Sequence, residues 1–324
     1  MSKLTVVIPR YRETEREMFP LLSSLNLQLG IDMPGVEVLV VTDGGGREPL
    51  SEDWLAGFDR LKVRQLTLDA NVGPGMVRQA GIDASDGEYL MFCDADDQLQ
   101  NCGIVGALVK KADDDKADMV STPWLEELPA EGGGMTYLQH GPEMTWMHGK
   151  IFRRSFLERE GIRHHPELRI HEDSYFLALV SAFAERQTYL DAVSYVWRYH
   201  PSSITRCDGA VYTFTSIPTF IHACLEADKV VERRKPEQME YKIVQLILYC
   251  YFSFHRSEWL APEHRGYLAD AEGALAREIK PWAHYWHGAK PETKARVYNE
   301  ERTKSFAGGV EMETLDAWLM RLGI

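Results

Sequence analysis

The sequence predicts an α/β fold: a doubly wound, mostly parallel sheet, followed by an all-helical segment. Three observations lead there. Short apolar, β-branched runs alternate with amphipathic helical stretches, the pattern of a parallel sheet covered on both faces. Tyr11, Asp43, Asn71 and Asp94 each fall just past a predicted strand, where such sheets bind ligands. After Thr205 the strand pattern stops, and the chain turns helical and rich in aromatics.

Each element has a local reason. Leu4 to Ile8 is an apolar run bounded by Pro9, as expected of a buried parallel strand. Thr14 with Glu17 forms a capping box before Met18, Leu21, Leu22, Leu25 and Leu29, so a helix follows, closed by Gly30. Val36 to Val41 is the second strand, running into Thr42, Asp43 and the glycines Gly44, Gly45 and Gly46. Ser51 caps a short helix through Phe58, and Leu61 to Leu68 is the third strand. Pro74 suits the first turn of a helix that runs to about Ala84. The apolar run after Glu88 is the strand that carries Asp94. A helix from about Asn101 and a strand near Asp118 to Thr122 come next. Between Pro123 and Pro142, with Gly132 to Gly134 in a row, the pattern predicts a mobile loop or a hairpin. Helices return at about Arg153 to Glu160 and at Glu172 to Phe183. They continue at roughly 211–227, 237–256, 263–286 and 292–304, and near Met312 to Leu322. No internal repeat or low-complexity tract interrupts this order.

A chain of 324 residues, 44% hydrophobic and 26% charged, can bury a full core. Its net charge of −13 argues against sequence-independent nucleic-acid binding, which needs a basic footprint. The acidic excess lies almost wholly before about residue 210, which predicts a sheet domain over 1–210 and a helical domain over 211–324. Cys93, Cys102, Cys207, Cys224 and Cys250 are odd in number and form no C-x-x-C pair, so neither a disulfide framework nor a zinc site is indicated. Reduced thiols, no long apolar signal core, and a most hydrophobic later stretch (Ile243 to Phe254) too short to span a bilayer predict a soluble cytoplasmic protein without a membrane span.

Two acidic features carry chemistry. Asp94 and Asp96 stand two residues apart, and on a strand such residues share a face. Two same-side carboxylates at a buried strand end repel unless a cation joins them. Mg²⁺ and Mn²⁺ take oxygen ligands, commonly a carboxylate or two plus substrate phosphates. An Asp-x-Asp pair alone is also the pattern of a solvated turn. The second feature is Glu172-Asp173 at a helix start, where the local dipole keeps a carboxylate ionised and able to take a proton. A plain helix cap would look the same.

Several blocks occur in a fixed order: Val6 to Tyr11, Glu37 to Gly45, Asn71 to Ile82, Asp86 to Asp97, Gly149 to Arg154, His171 to Phe176 and Tyr199 to Thr205. In them the chain resembles the inverting family 2 glycosyltransferases of the GT-A fold, a Rossmann-like architecture, over about residues 3–206. The resemblance implies a catalytic GT-A domain that moves a hexose-type sugar from a nucleoside diphosphate, a UDP-sugar above all, to an acceptor hydroxyl with Mn²⁺ or Mg²⁺. It implies that Asp43 accepts a hydrogen bond from the nucleobase and Tyr11 packs against it, with Pro9, Asn71, Arg78 and Ala95 also at the donor. Asp94 would serve ribose or metal, Asp96 the metal, and Asp97 would orient them. Asp173 would be the base, and Glu172 its support or an acceptor contact. Lys150, Arg198, His200 and Ser203 are candidates for offsetting charge on the leaving diphosphate, and His200 for a further metal ligand. Thr42 and Arg12 depart from the family's frequent aspartate and asparagine.

Other readings stand beside these. Arg78 could be a surface helix residue. His148 and the pair His164-His165 read as surface or acceptor-side residues, and Trp146 as a sugar platform or a buried ring. The tail's aromatics (Tyr249, Tyr251, Phe252, Phe254, Trp259, Trp282, Tyr285 and Trp286) could form a core, an acceptor platform or a homo-oligomer seam. The acceptor could be a glycan, a cell-wall polymer, a protein or a modified nucleic acid. Rival functions are a sugar-nucleotide nucleotidyltransferase and a non-catalytic nucleotide-sugar-binding module.

Overall fold

A computed structural model describes residues 2–44, 48–201, 203, 205–206, 211–305 and 313–324. The chain folds into two compact units, residues 1–201 and 202–324. The boundary expected at residue 210 lies outside the described residues, as do Gly45, Gly46, Ile204, Cys207 and Met312.

The first unit runs β1 (Leu4–Arg10), α1 (Glu15–Asn26), β2 (Val36–Thr42), α2 (Glu52–Leu55), β3 (Lys62–Thr67), α3 (Pro74–Ala84) and β4 (Tyr89–Phe92). It continues with β5 (Gln98–Leu99), α4 (Ile104–Asp114), β6 (Met119–Ser121), β7 (Trp124–Pro129), β8 (Met135–His140), β9 (Lys150–Arg153), α5 (Arg154–Glu160), α6 (Glu172–Phe183), β10 (Gln187–Tyr189) and β11 (Tyr195–Trp197). A seven-stranded sheet has the order β10-β6-β9-β4-β1-β2-β3. Its pairs are parallel except those of β9, which runs antiparallel to β4 and β6. A four-stranded sheet, β5-β11-β7-β8, lies beside it in the same unit.

Sheet register positions the site. Arg10 pairs with Thr42 and Val7 with Phe92, so Tyr11, Asp43 and Asp94 leave the sheet side by side at its carboxyl end. Leu4, Val6 and Ile8 point from β1 into a core shared with Met18, Leu21, Leu22 and Leu25 of α1 and Ile104, Val105 and Leu108 of α4. Burying each such side chain contributes about 2 kcal/mol. On the other face α3 lies so close that a methyl group on Gly81 would stand 2.3 Å from Val7 Cγ1. Both faces are therefore covered, as the alternating pattern predicts.

Differences from the sequence reading have identifiable causes. The capping box forms as expected, but α1 stops at Asn26 and Leu29 is exposed beyond it, so Gly30 does not close that helix. The segment after Pro123 is an antiparallel hairpin, β7 with β8. The second sheet escapes the sequence reading because β5 and β11 span only two and three residues, too short for a period to register.

The second unit is helical: α7 (Tyr212–Thr215), α8 (Ile217–Arg234), α9 (Met239–Phe254), α10 (Ser257–Leu260), α11 (Arg265–Ile279), α12 (Ala283–Gly288), α13 (Pro291–Ser305) and α14 (Leu315–Leu322). The single helix expected over 263–286 is interrupted at Lys280–Trp282, where Pro281 has no N–H for the helical ladder. Phe254 and Trp318 are fully buried in this unit, and Trp259, Trp282 and Trp286 are buried with them, so these rings serve as core. Among the described residues, no helix is long and apolar enough to cross a membrane.

Candidate active site

Asp43 follows β2 and is buried. Its Oδ1 accepts the N–H of Val72 at 2.7 Å, and its Oδ2 that of Gly73 at 3.0 Å. The carboxylate therefore fastens the loop that opens α3, leaving further lone pairs on both oxygens. Gly73, at φ +85°, adopts a backbone that side-chain-bearing residues avoid, and a methyl there would stand 2.8 Å from Arg169 Cδ. Asn71 Oδ1 accepts from Arg169 Nη1 at 3.2 Å. Tyr11, just past β1, is exposed, with the Arg12 guanidinium 4.8 Å from its ring centroid. Pro9 lies on β1 opposite Val41, and Ala95 is buried.

Arg78, on α3, is buried rather than superficial. Its Nη2 donates to Asp94 Oδ1 and its Nη1 to Glu172 Oε1, both at 2.7 Å. Burial pushes the Asp94 carboxyl up, but the adjacent guanidinium outweighs it and holds Asp94 below the usual carboxylate range. The cation that the carboxylate cluster demands is thus supplied in part by Arg78.

The strand argument for Asp94 and Asp96 does not hold. β4 ends at Phe92, and Ala95-Asp96 form a turn, so strand alternation does not govern them. Asp96 instead lines a cavity of about 430 Å³ with Thr14, Glu17, Arg198 and His200. Its carboxyl is pushed up to about 6 by burial and then by the charges of Asp94 and Glu13. Asp97 is wholly buried, accepting from the Tyr195 hydroxyl at 2.6 Å and the Arg198 N–H at 2.8 Å. Burial and the neighbouring Asp94 and Asp96 push it well above the ordinary range.

His148 is buried, not superficial, and ligand atoms of Asp94, Asp97 and His148 lie within 4.8 Å of one another. Its ring stacks between Tyr195 at 4.9 Å and Trp146 at 6.0 Å, and burial lowers its pKa to about 3, so the imidazole is neutral. Its spacing in sequence gives no metal signal; only the fold brings it to the carboxylates. His164, read as a surface or acceptor-side residue, is likewise buried, stacked 4.4 Å from the Phe176 ring.

Glu172 and Asp173 open α6, as expected, and His171 precedes them at φ +57°. Asp173 Oδ1 accepts its neighbour Ser174's N–H at 2.8 Å. Its carboxyl is pushed up to about 8, first by burial and then by Glu172, while Arg78 pulls it down, so burial outweighs the helix dipole expected to keep it ionised. Asp173 therefore stands in the same field as Asp94 and Arg78.

The diphosphate candidates separate. Lys150 is fully enclosed, with Nζ donating to the carbonyls of Trp146 at 2.7 Å and His148 at 3.2 Å. Its ammonium fastens the segment before β9, with Glu143 Oε1 at 3.8 Å, and burial lowers its pKa. Arg198 Nη1 donates to the Asp96 carbonyl at 3.3 Å. His200 reaches the Asp96 cavity but lies against Glu17. Ser203 belongs to the second unit, where its Oγ is 3.1 Å from Thr205 Oγ1.

Comparison with known proteins adds the following. The model of the glycosyl transferase family 2 matches residues 5–169. EpsH of Bacillus subtilis is 28% identical over 195 residues, 54% of this chain and 55% of its own. The poly(ribitol-phosphate) β-N-acetylglucosaminyltransferase TarS of Staphylococcus aureus is 27% identical over 61% of this chain and 35% of its own. The chain thus spans about half the length of EpsH and a third of TarS. The structure of TarS 1–349 with UDP-GlcNAc superposes with a TM-score of 0.62 at 18% identity, covering 96% of this chain and 97% of the other. The mannosyltransferase PcManGT from Pyrobaculum calidifontis, with GDP-Man and Mn²⁺, gives 0.53 at 16% identity over 99% and 86%. The shared architecture is the GT-A fold.

Proposed function

Because the chain belongs to glycosyl transferase family 2, we propose that it transfers a sugar, with inversion, from a nucleoside diphosphate donor to an acceptor hydroxyl. The donor we favour is a UDP-sugar, as in the TarS complex. The observation that carries this reading is that a single buried guanidinium, Arg78, touches both acidic features at 2.7 Å, so that Asp94 and Glu172-Asp173 belong to one ionic cluster. In this reading Asp43 and Tyr11 receive the nucleobase at the carboxyl end of the sheet. Asp173, ionised, takes the acceptor's proton as the new bond forms.

A divalent cation fits the residues present. Asp96 is pushed up to about 6 by burial and then by the charges of Asp94 and Glu13, and added positive charge would offset the carboxylate part. Asp96 and Asp94 would hold Mg²⁺ or Mn²⁺, with His200, which lines the same cavity as Asp96, as a further ligand. When bound, it would offset negative charge growing on the leaving diphosphate. The helical unit is proposed to bind acceptor or mediate self-association. The acceptor class stays among glycans and other polymers.

The test is release of UDP from a panel of UDP-sugars with Mn²⁺, comparing the parent protein with Asp173→Asn. Turnover in the parent and its loss in the variant support the reading. Pyrophosphate release, or binding without turnover, overturns it.

A further inference from the structure

Arg78 is only 6% exposed, and its two terminal nitrogens are both engaged by carboxylates. Around it two helix starts are pressed together with glycine between them. A methyl group on Gly75 would stand 2.7 Å from Glu172 Cγ, and one on Gly73 would stand 2.8 Å from Arg169 Cδ. The opening of α3 is itself held by Asp43 through Val72 and Gly73. On the other side, His171 keeps a left-handed backbone that non-glycine residues adopt only where the surroundings enforce it. Asp43, the first turn of α3, Arg78, Glu172 and Asp173 therefore form one continuous packed chain at the carboxyl end of the sheet.

We propose that Arg78 is a positioning residue: anchored on Asp94, it grips Glu172 and so holds Asp173 at the acceptor side, rather than binding donor phosphates itself. The proposal rests on the glycosyltransferase reading above. The planar guanidinium can bond two separate carboxylates at once, which the compact ammonium of lysine does poorly. Loss of either bond leaves a buried carboxylate without its partner and frees the start of α6 from α3.

The experiment measures UDP affinity by calorimetry and kcat and KM for a UDP-sugar. It compares the parent with Arg78→Gln, Arg78→Lys, Glu172→Gln and the Arg78→Gln/Glu172→Gln double variant. Residues that act as a unit are non-additive, so each single glutamine variant should lower kcat about 100-fold while UDP Kd stays within about 3-fold, and the double variant should be no worse. Arg78→Lys should not rescue kcat. An Arg78→Gln protein with near-parental kcat and UDP affinity weakened about 10-fold or more would mark a direct donor contact and overturn the proposal. Should Arg78→Gln not fold by circular dichroism, Glu172→Gln carries the test, and parental kcat in that variant overturns it. Absence of turnover in the parent sinks the glycosyltransferase reading, and this role with it; the other overturning results appear only in the variants.

Discussion

Glu17 Oε1 stands 3.3 Å from His200 Nε2, at the edge of the cavity that Asp96 lines. The same side chain closes the capping box of α1, its Oε2 accepting from the Thr14 N–H at 2.7 Å. One carboxylate thus ties the start of α1 to the segment following β11. Hydrogen bonds from Thr14, followed by the smaller effect of His200, hold its pKa below the ordinary value. A depressed carboxylate pKa stabilises the fold above the unfolded-state value and is lost as pH falls through the folded one. Glu17→Ala should therefore cost about 1 kcal/mol near neutral pH, the usual penalty for a lost cap, and progressively less below about pH 4. Urea unfolding at pH 7 and pH 3.5 checks this: an equal loss at both would dismiss the ionic account.

Turnover should rise with pH. The Asp173 carboxyl is pushed up to about 8, chiefly by burial. A base must shed its proton before it can accept one, so kcat should climb through the neutral range and level off above about pH 8. The sign for stability is opposite: the folded state favours the protonated form, so Asp173 contributes less stability as pH rises from its unfolded value toward 8. Asp173→Asn should remove both trends while lowering kcat by about a thousandfold or more and sparing UDP affinity. A flat parental pH profile would remove Asp173 from the role.

The two acidic features were readable from residue type and spacing, and their meeting was not. Glu172-Asp173 announces a helix start, and Asp94 to Asp97 a strand end, through local pattern alone. Arg78 joins them across 94 residues of sequence on one side and 16 on the other, a relation fixed only by packing of α3 against α6. Long strands such as β1 and β2 were legible because their apolar runs exceed a full period. The enclosure of Lys150 was not legible, because sequence shows a charge without showing the carbonyls around it. His148 was misread likewise, since its partners Tyr195 and Trp197 lie on a strand too short to predict.

Removing Asp96 should separate metal from nucleotide. Asp96→Ala leaves Asp43 and its bonds to Val72 and Gly73 untouched. UDP should still bind, but addition of Mn²⁺ should no longer tighten it. Calorimetry of parent and variant, with Mn²⁺ and with chelator, checks this. An Mn²⁺ effect in Asp96→Ala equal to the parental one would place the cation on other ligands, with Asp94, Asp97 and His148 as the next set.

A matched pair of glycines tests the packing of α3 against α6. Gly75 and Gly266 are each the second residue of a helix, α3 and α11. Alanine at such a position ordinarily helps, because it restricts the unfolded chain, by about 0.4–1 kcal/mol. Around Gly266 a methyl group would meet nothing within 4 Å, so Gly266→Ala should be neutral or raise Tm. At Gly75 the methyl would press on Glu172 Cβ at 2.9 Å as well as on Cγ at 2.7 Å. The Glu172 side chain has no free path away, since Arg78 holds its carboxylate and the residue is buried. Gly75→Ala should therefore lower Tm and depress kcat far more than it weakens UDP binding, because the displaced element is the one bearing Asp173. Thermal unfolding and steady-state kinetics of the two variants decide it: Gly75→Ala matching Gly266→Ala in both would mean that the two helix starts are free to separate without consequence.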